Sequence, residues 1–110
     1  MALGMGVPKS FIAVRTEKRV PMEVGVRITG HEAIPGTETT FTQNVSPRGA
    51  RVLSTRPWKT NDQMVISTMT GSFRATARVA YCAITAESNF AVGVEFIEPN
   101  GRWVVDQPAC

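Results

Sequence analysis

Apolar residues fall on every second position from 20 to 28: Val20, Met22, Val24, Val26 and Ile28 alternate with Pro21, Glu23, Gly25, Arg27 and Thr29. Successive side chains of an extended chain point to opposite faces, so a period of two marks a strand with one buried side. The same reading gives a Thr-rich strand over 38–45, with Phe41 and Val45 on a common face, and short strands over 50–54 and 64–69. A long strand over 73–84 sets Phe73, Ala75, Ala77, Val79 and Tyr81 against Arg74, Thr76 and Arg78, and a sixth carries Phe90, Val92, Val94 and Phe96. Between them, 30–36 reads as a loop and 56–62 as a turn-rich connection whose Trp58 shields a core edge. Thr70-Gly71-Ser72, Glu87-Ser88-Asn89 and Pro99-Asn100-Gly101 carry turn chemistry.

No segment sustains a helical period. Six short strands with turns every eight to twelve residues predict an all-β fold, a small six-stranded antiparallel β-barrel in which closure removes exposed edges. Residues 1–14 read as a flexible leader, because Gly4, Gly6 and Pro8 interrupt them, although Phe11, Ile12 and Val14 offer apolar cover. Residues 15–110 form one domain that ends in a short extended tail around Trp103, Val104 and Val105.

Composition narrows the function classes. A chain of 110 residues suits one domain, and its net charge of +3 leans toward an anionic partner without implying nucleic acid. The leader lacks a basic start and is too short to span a bilayer, so a cytoplasmic protein without membrane insertion is expected. Cys82, in a strand, reads as a small core residue and Cys110 as an exposed thiol; two such cysteines make neither a metal site nor a disulfide framework. His31, alone in a loop, reads as a surface residue. No acid, base and nucleophile set, paired carboxylates or phosphate loop is legible, so the expectation is binding rather than catalysis, with no cofactor and no metal.

Two polar clusters carry the candidate chemistry. Arg15 and Arg19 lie four apart just before the first strand, and the guanidinium fork matches phosphate and the edge of guanine. Thr42-Gln43-Asn44-Val45-Ser46-Pro47-Arg48-Gly49-Ala50 forms a polar corner between two strands, where Pro47 fixes φ and Gly49 either takes φ > 0 or admits a close neighbour. The order Arg15-x-x-x-Arg19, then Asn44-x-Ser46-x-x-Gly49, then a closing strand with Gly93-Val94-Glu95-Phe96, resembles the PilZ domain family from about residue 15 to about residue 97.

That resemblance implies a six-stranded barrel and a ligand, cyclic di-GMP, a bacterial second messenger with two phosphates and two guanines. It assigns Arg15 and Arg19 to the phosphates and a guanine edge, Asn44 to a guanine edge, Ser46 to a phosphate or to the turn, and Gly49 to close approach of the ligand. Arg48 fills a variable position, read as a solvated charge. Val14, where some members carry a third guanidinium, implies one ligand rather than a stacked pair. The expected mechanism is a clamp: the leader bearing the arginines closes on the ligand and reshapes a surface for an unknown partner in motility, secretion or polysaccharide synthesis. Two alternatives stand beside it, a degenerate PilZ-like module that binds only proteins and a small basic barrel for single-stranded nucleic acid. The latter usually interleaves exposed aromatics with basic residues, whereas Phe41, Phe73, Phe90 and Phe96 are read here as core.

Overall fold

The structure is a computed structural model and describes residues 19–105. All its regular elements are strands: β1 (Val20–Pro21), β2 (Gly25–Thr29), β3 (Glu38–Ser46), β4 (Gly49–Ser54), β5 (Gln63–Thr68), β6 (Phe73–Ile84) and β7 (Phe90–Gly101). The sheet runs β1-β3-β2-β5-β6-β7-β4, every ladder among the described residues is antiparallel, and β3 also pairs with β4. That last pairing closes six strands into the expected barrel, with β1 as an added strand on β3. Leader residues 1–14, Arg15 and Cys110 lie outside the described residues.

The interior is filled by alternating residues of β2 to β7. Val26, Ile28, Val45, Val52, Met64, Ile66, Phe73, Val79, Val92 and Val94 are all buried, and Cys82 and Phe90 pack against them. Each end of the barrel has a tryptophan. At one end Trp103 sits against Phe73 and Phe96, with ring centroids 4.8 and 5.0 Å away, and its indole N–H donates to the Ser46 carbonyl at 2.8 Å. Of the apolar tail, Trp103 and Val105 pack against the core, Val104 is exposed, and residues 102–105 form no helix. At the other end Trp58 donates to Ser54 Oγ at 3.2 Å, and Ser54 donates in turn to Glu38 Oε1 at 2.7 Å. His31 stands edge-on to Trp58 at 4.7 Å. Its Nδ1 accepts from the Ala33 and Ile34 amides at 3.1 Å each, which leaves Nε2–H to donate to the Pro57 carbonyl at 2.7 Å. The partly buried His31 is therefore a loop staple rather than a free surface residue.

Four departures from strict alternation share one cause, a single extra residue in one strand of a pair. Residues 20–28 do not form one strand. Between β1 and β2 the chain holds one more residue than β3 opposite it, because Pro21 faces Asn44 but Gly25 faces Phe41. The phase slips there, so Val20 and Met22 lie at the surface while Val26 and Ile28 point inward. In β3 the register against β4 shifts between Thr42 and Asn44. Thr42 and Val45 consequently face the core, and Phe41 is only half-buried and outside the core cluster. In β6 a shift between Val79 and Tyr81 turns Tyr81 outward, 38 % exposed. A further shift, opposite Thr76 and Ala77, lies in β7, which runs on through the expected turn so that Pro99 pairs with Ala75 and Gly101 with Phe73. Proline is tolerated there because β4 reaches only to Glu95, leaving the rest of β7 as an edge strand.

Thr42 stitches the first of these slips. Its hydroxyl donates to the Met22 carbonyl at 2.7 Å and accepts from the Val24 amide at 2.9 Å, inside a fully buried residue. Thr42→Val keeps the shape but strands both backbone groups. Chemical denaturation should show a loss of about 1 to 3 kcal/mol; an unchanged midpoint would mean that water replaces the hydroxyl without cost.

Candidate functional site on the outer face of the barrel

The site grows from the β3 to β4 hairpin. Ser46 faces Gly49 in the ladder, leaving Pro47 and Arg48 as the loop. Neither takes positive φ, and nor does Gly49. The first of the two readings of Gly49 is therefore corrected, and its other role holds: a Cβ at Gly49 would run into the Val94 carbonyl oxygen of β7. Gly49 lets the third strand of the closure lie close.

Ser46 is buried, its hydroxyl reaches toward the Gly49 carbonyl at 3.5 Å, and its own carbonyl is held by Trp103. It acts first as a brace for the turn. Asn44 is half-buried, and its Oδ1 accepts from Arg19 Nη1 at 2.9 Å across 25 positions of sequence. The antiparallel pairing of Val20 with Val45 and Pro21 with Asn44 brings Arg19 there. Arg48 is exposed at the tip, and its carbonyl accepts from the Phe96 amide at 2.8 Å. Of the residues named from the sequence, Arg19, Asn44, Ser46, Arg48 and Gly49 thus converge on one hairpin, while Val14 and Arg15 lie outside the described residues.

Sequence reading missed the neighbours of Asn44. One cross-strand row runs over the outer surface: Asn44 on β3 faces Arg51 on β4, Arg51 faces Gly93 on β7, and Gly93 faces Tyr81 on β6. Four strands at about 4.8 Å spacing make this row about 14 Å wide. Arg51 Nε donates to Gln43 Oε1 at 3.0 Å, and its guanidinium carbon lies 6.0 Å from the Tyr81 ring centre, a cation–π distance. The ring lies over Gly93, where any Cβ would overlap it. Arg51 was legible as an outward residue from the alternation of β4. Tyr81 was not, because the slip that turns it out leaves no mark in the composition.

The face therefore presents two fixed guanidiniums, an amide and an aromatic ring in one band. Guanidinium forks bind phosphate or the O6 and N7 edge of guanine, an amide reads a base edge, and a ring with a cation beside it stacks on a base. Among the described residues, no group of histidines, cysteines and carboxylates is placed to hold a metal ion, and no helix is long and apolar enough to cross a membrane.

Comparison with known proteins bears on the fold and the family. A solved structure described as Bacillus subtilis inhibitor of motility (MotI/DgrA) superposes with a TM-score of 0.65 at 15 % identity, over 78 % of this chain and 44 % of that one. The likeness is one of fold, and this chain spans less than half of that protein. No curated protein matches the chain. The family model for the PilZ domain matches residues 13–102, which takes in both arginines, the hairpin and the closing strand, and the chain belongs to the PilZ domain family.

Proposed function

We propose that this domain is a cytoplasmic receptor for cyclic di-GMP, and that the ligand lies on the outer row from Arg19 and Asn44 to Tyr81. The observation that carries this reading is the 2.9 Å hydrogen bond between Arg19 and Asn44, which joins the two halves of the family motif. PilZ domains are a binding family, and the chemistry on this face is recognition without an acid, base or nucleophile set.

The fold modifies the clamp expected from the sequence. Arg19 already sits at the head of β1, held by the ladder to β3, so part of the cost of ordering the arginine motif is met by folding. Only one of its five N–H groups is committed to Asn44, leaving the rest of the fork for phosphate or a guanine edge. Arg51 adds a second cation on the far side of Asn44, and Tyr81 offers a stacking surface for one guanine. Closure then belongs to the chain upstream of Arg19, where Arg15 supplies the other phosphate contact. Val14 supports a single ligand. The shape of this face would change on binding, and a protein partner in motility, secretion or polysaccharide synthesis would read that change.

Calorimetric titration should give a dissociation constant in the micromolar range, about −8 kcal/mol. No heat at high ligand excess from a folded domain would instead favour a PilZ module that binds only proteins. Arg19→Ala should abolish measurable binding and leave the melting temperature nearly unchanged, since its contact with Asn44 is exposed. Tyr81→Ala should weaken binding by about 1 to 3 kcal/mol, the range for loss of one stacked base; full affinity in that variant would remove Tyr81 from the site. Gly49→Val should reduce binding and stability together, the latter by about 1 to 3 kcal/mol, because the side chain meets β7 backbone. A Gly49→Val protein as stable as the parent would show that the hairpin and β7 can separate.

A further inference from the structure

A second band of arginines lies on the other side of the barrel. Thr39 on β3 faces Arg27 on β2, Arg27 faces Ser67 on β5, Ser67 faces Arg74 on β6, and Arg74 faces Asn100 on β7. Arg27 and Arg74 are both exposed. Arg102 follows at the end of β7, where its amide donates to the Ser72 carbonyl at 2.8 Å, close to the start of β6. In the ring of strands, β2 and β5 stand opposite β7 and β4, so this band faces away from the row that contains Asn44 and Arg51.

These arginines differ from the others on the strands. Arg51 is bonded to Gln43, and Arg78 to Asn61 at 2.7 Å and Glu95 at 2.6 Å. Among the described residues, the guanidiniums of Arg27, Arg74 and Arg102 have no hydrogen-bond or ion-pair partner. Glu98 faces Thr76, two residues along β6, and makes no ion pair with Arg74, while Glu38, which faces Ile28 beside Arg27, pairs with Arg56 instead. Two cations set in one lateral row two strands apart repel each other, and no carboxylate among the described residues pairs with either.

We propose that this β2, β5 and β6 face docks an acidic segment of a protein partner. The argument is charge complementarity. Arg27 and Arg74 are two strands apart, about 10 Å between backbones, which is also the rise between residues seven apart on a helix. A helix crossing the strands with carboxylates on one side would meet both guanidiniums, with the Ser67 hydroxyl between them. The row has no aromatic ring on which nucleic-acid bases would stack, and the exposed Met69 beside it, over Gly25, offers one aliphatic side chain rather than the apolar face that a lipid surface needs. This surface does not depend on cyclic di-GMP recognition and would stand if that reading failed.

The test is an amide NMR titration of the full chain at low salt with a synthetic acidic helical peptide of about 16 residues. The shifts should centre on Arg27, Ser67 and Arg74. Arg27→Glu with Arg74→Glu should weaken the peptide by about tenfold or more, and Lys59→Glu in the 55–62 connection by less than about twofold. Arg27→Gln with Arg74→Gln, which adds no new charge, should give an intermediate loss and guards against misfolding of the reversal variant. Shifts centred on Arg19 and Tyr81, or an equal loss from Lys59→Glu, would overturn the proposal. So would tighter binding of this face to phosphatidylglycerol vesicles or to oligothymidylate than to the peptide.

Discussion

The pairing of β3 with strands on both of its edges is the constraint on which the rest depends. β2 and β1 occupy one edge and β4 the other, and without the second ladder the six strands would remain an open sheet with exposed edges. The return into β4 also has to bring Gly49 against the Val94 carbonyl, a position that no residue with a Cβ fills without displacement. The hairpin that closes the barrel is the same hairpin that carries Asn44 and Ser46. The proposed site and fold closure therefore share one hairpin, in which Ser46 is buried and its carbonyl is held by Trp103.

Extra residues then decide what the outer face carries. A strand without slips would keep its apolar residues inside for its whole length. The slip before β2 leaves Val20 and Met22 at the surface beside Arg19, the one in β3 exchanges Phe41 for Thr42 in the interior, and the one in β6 turns Tyr81 out over Gly93. Each gives up some apolar burial locally. In exchange, Arg19, Asn44, Arg51 and Tyr81 stand on the same side of the barrel wall. The polar cost of the slip before β2 is offset by Thr42, whose hydroxyl serves both backbone groups released there.

Much of this was legible in the sequence, for reasons visible in single residues. Val26, Ile28, Phe73, Ala75, Ala77 and Val79 obey a period of two because one side of each strand meets the core, and that pattern survives without knowledge of the partner strand. The Asn44, Ser46 and Gly49 corner was legible because turn chemistry is local. Tyr81 and Phe41 were placed on the wrong face because a one-residue bulge changes phase without changing composition. Pro99 was read as a turn because whether a strand is at an edge depends on where β4 ends, a property of the assembled sheet. The approach of Gly49 to Val94 is likewise tertiary, and from sequence it was indistinguishable from a demand for positive φ.

The outer row from Arg19 to Tyr81 is proposed as the ligand surface, on a hairpin that the fold itself holds. Amide NMR of the domain titrated with cyclic di-GMP tests it most directly, because it reports position as well as binding. Shifts should concentrate on Arg19, Asn44, Arg51, Gly93 and Tyr81, with His31, Trp58, Arg27 and Arg74 unmoved. Saturable shifts that avoid the row and cluster elsewhere on the barrel would contradict it.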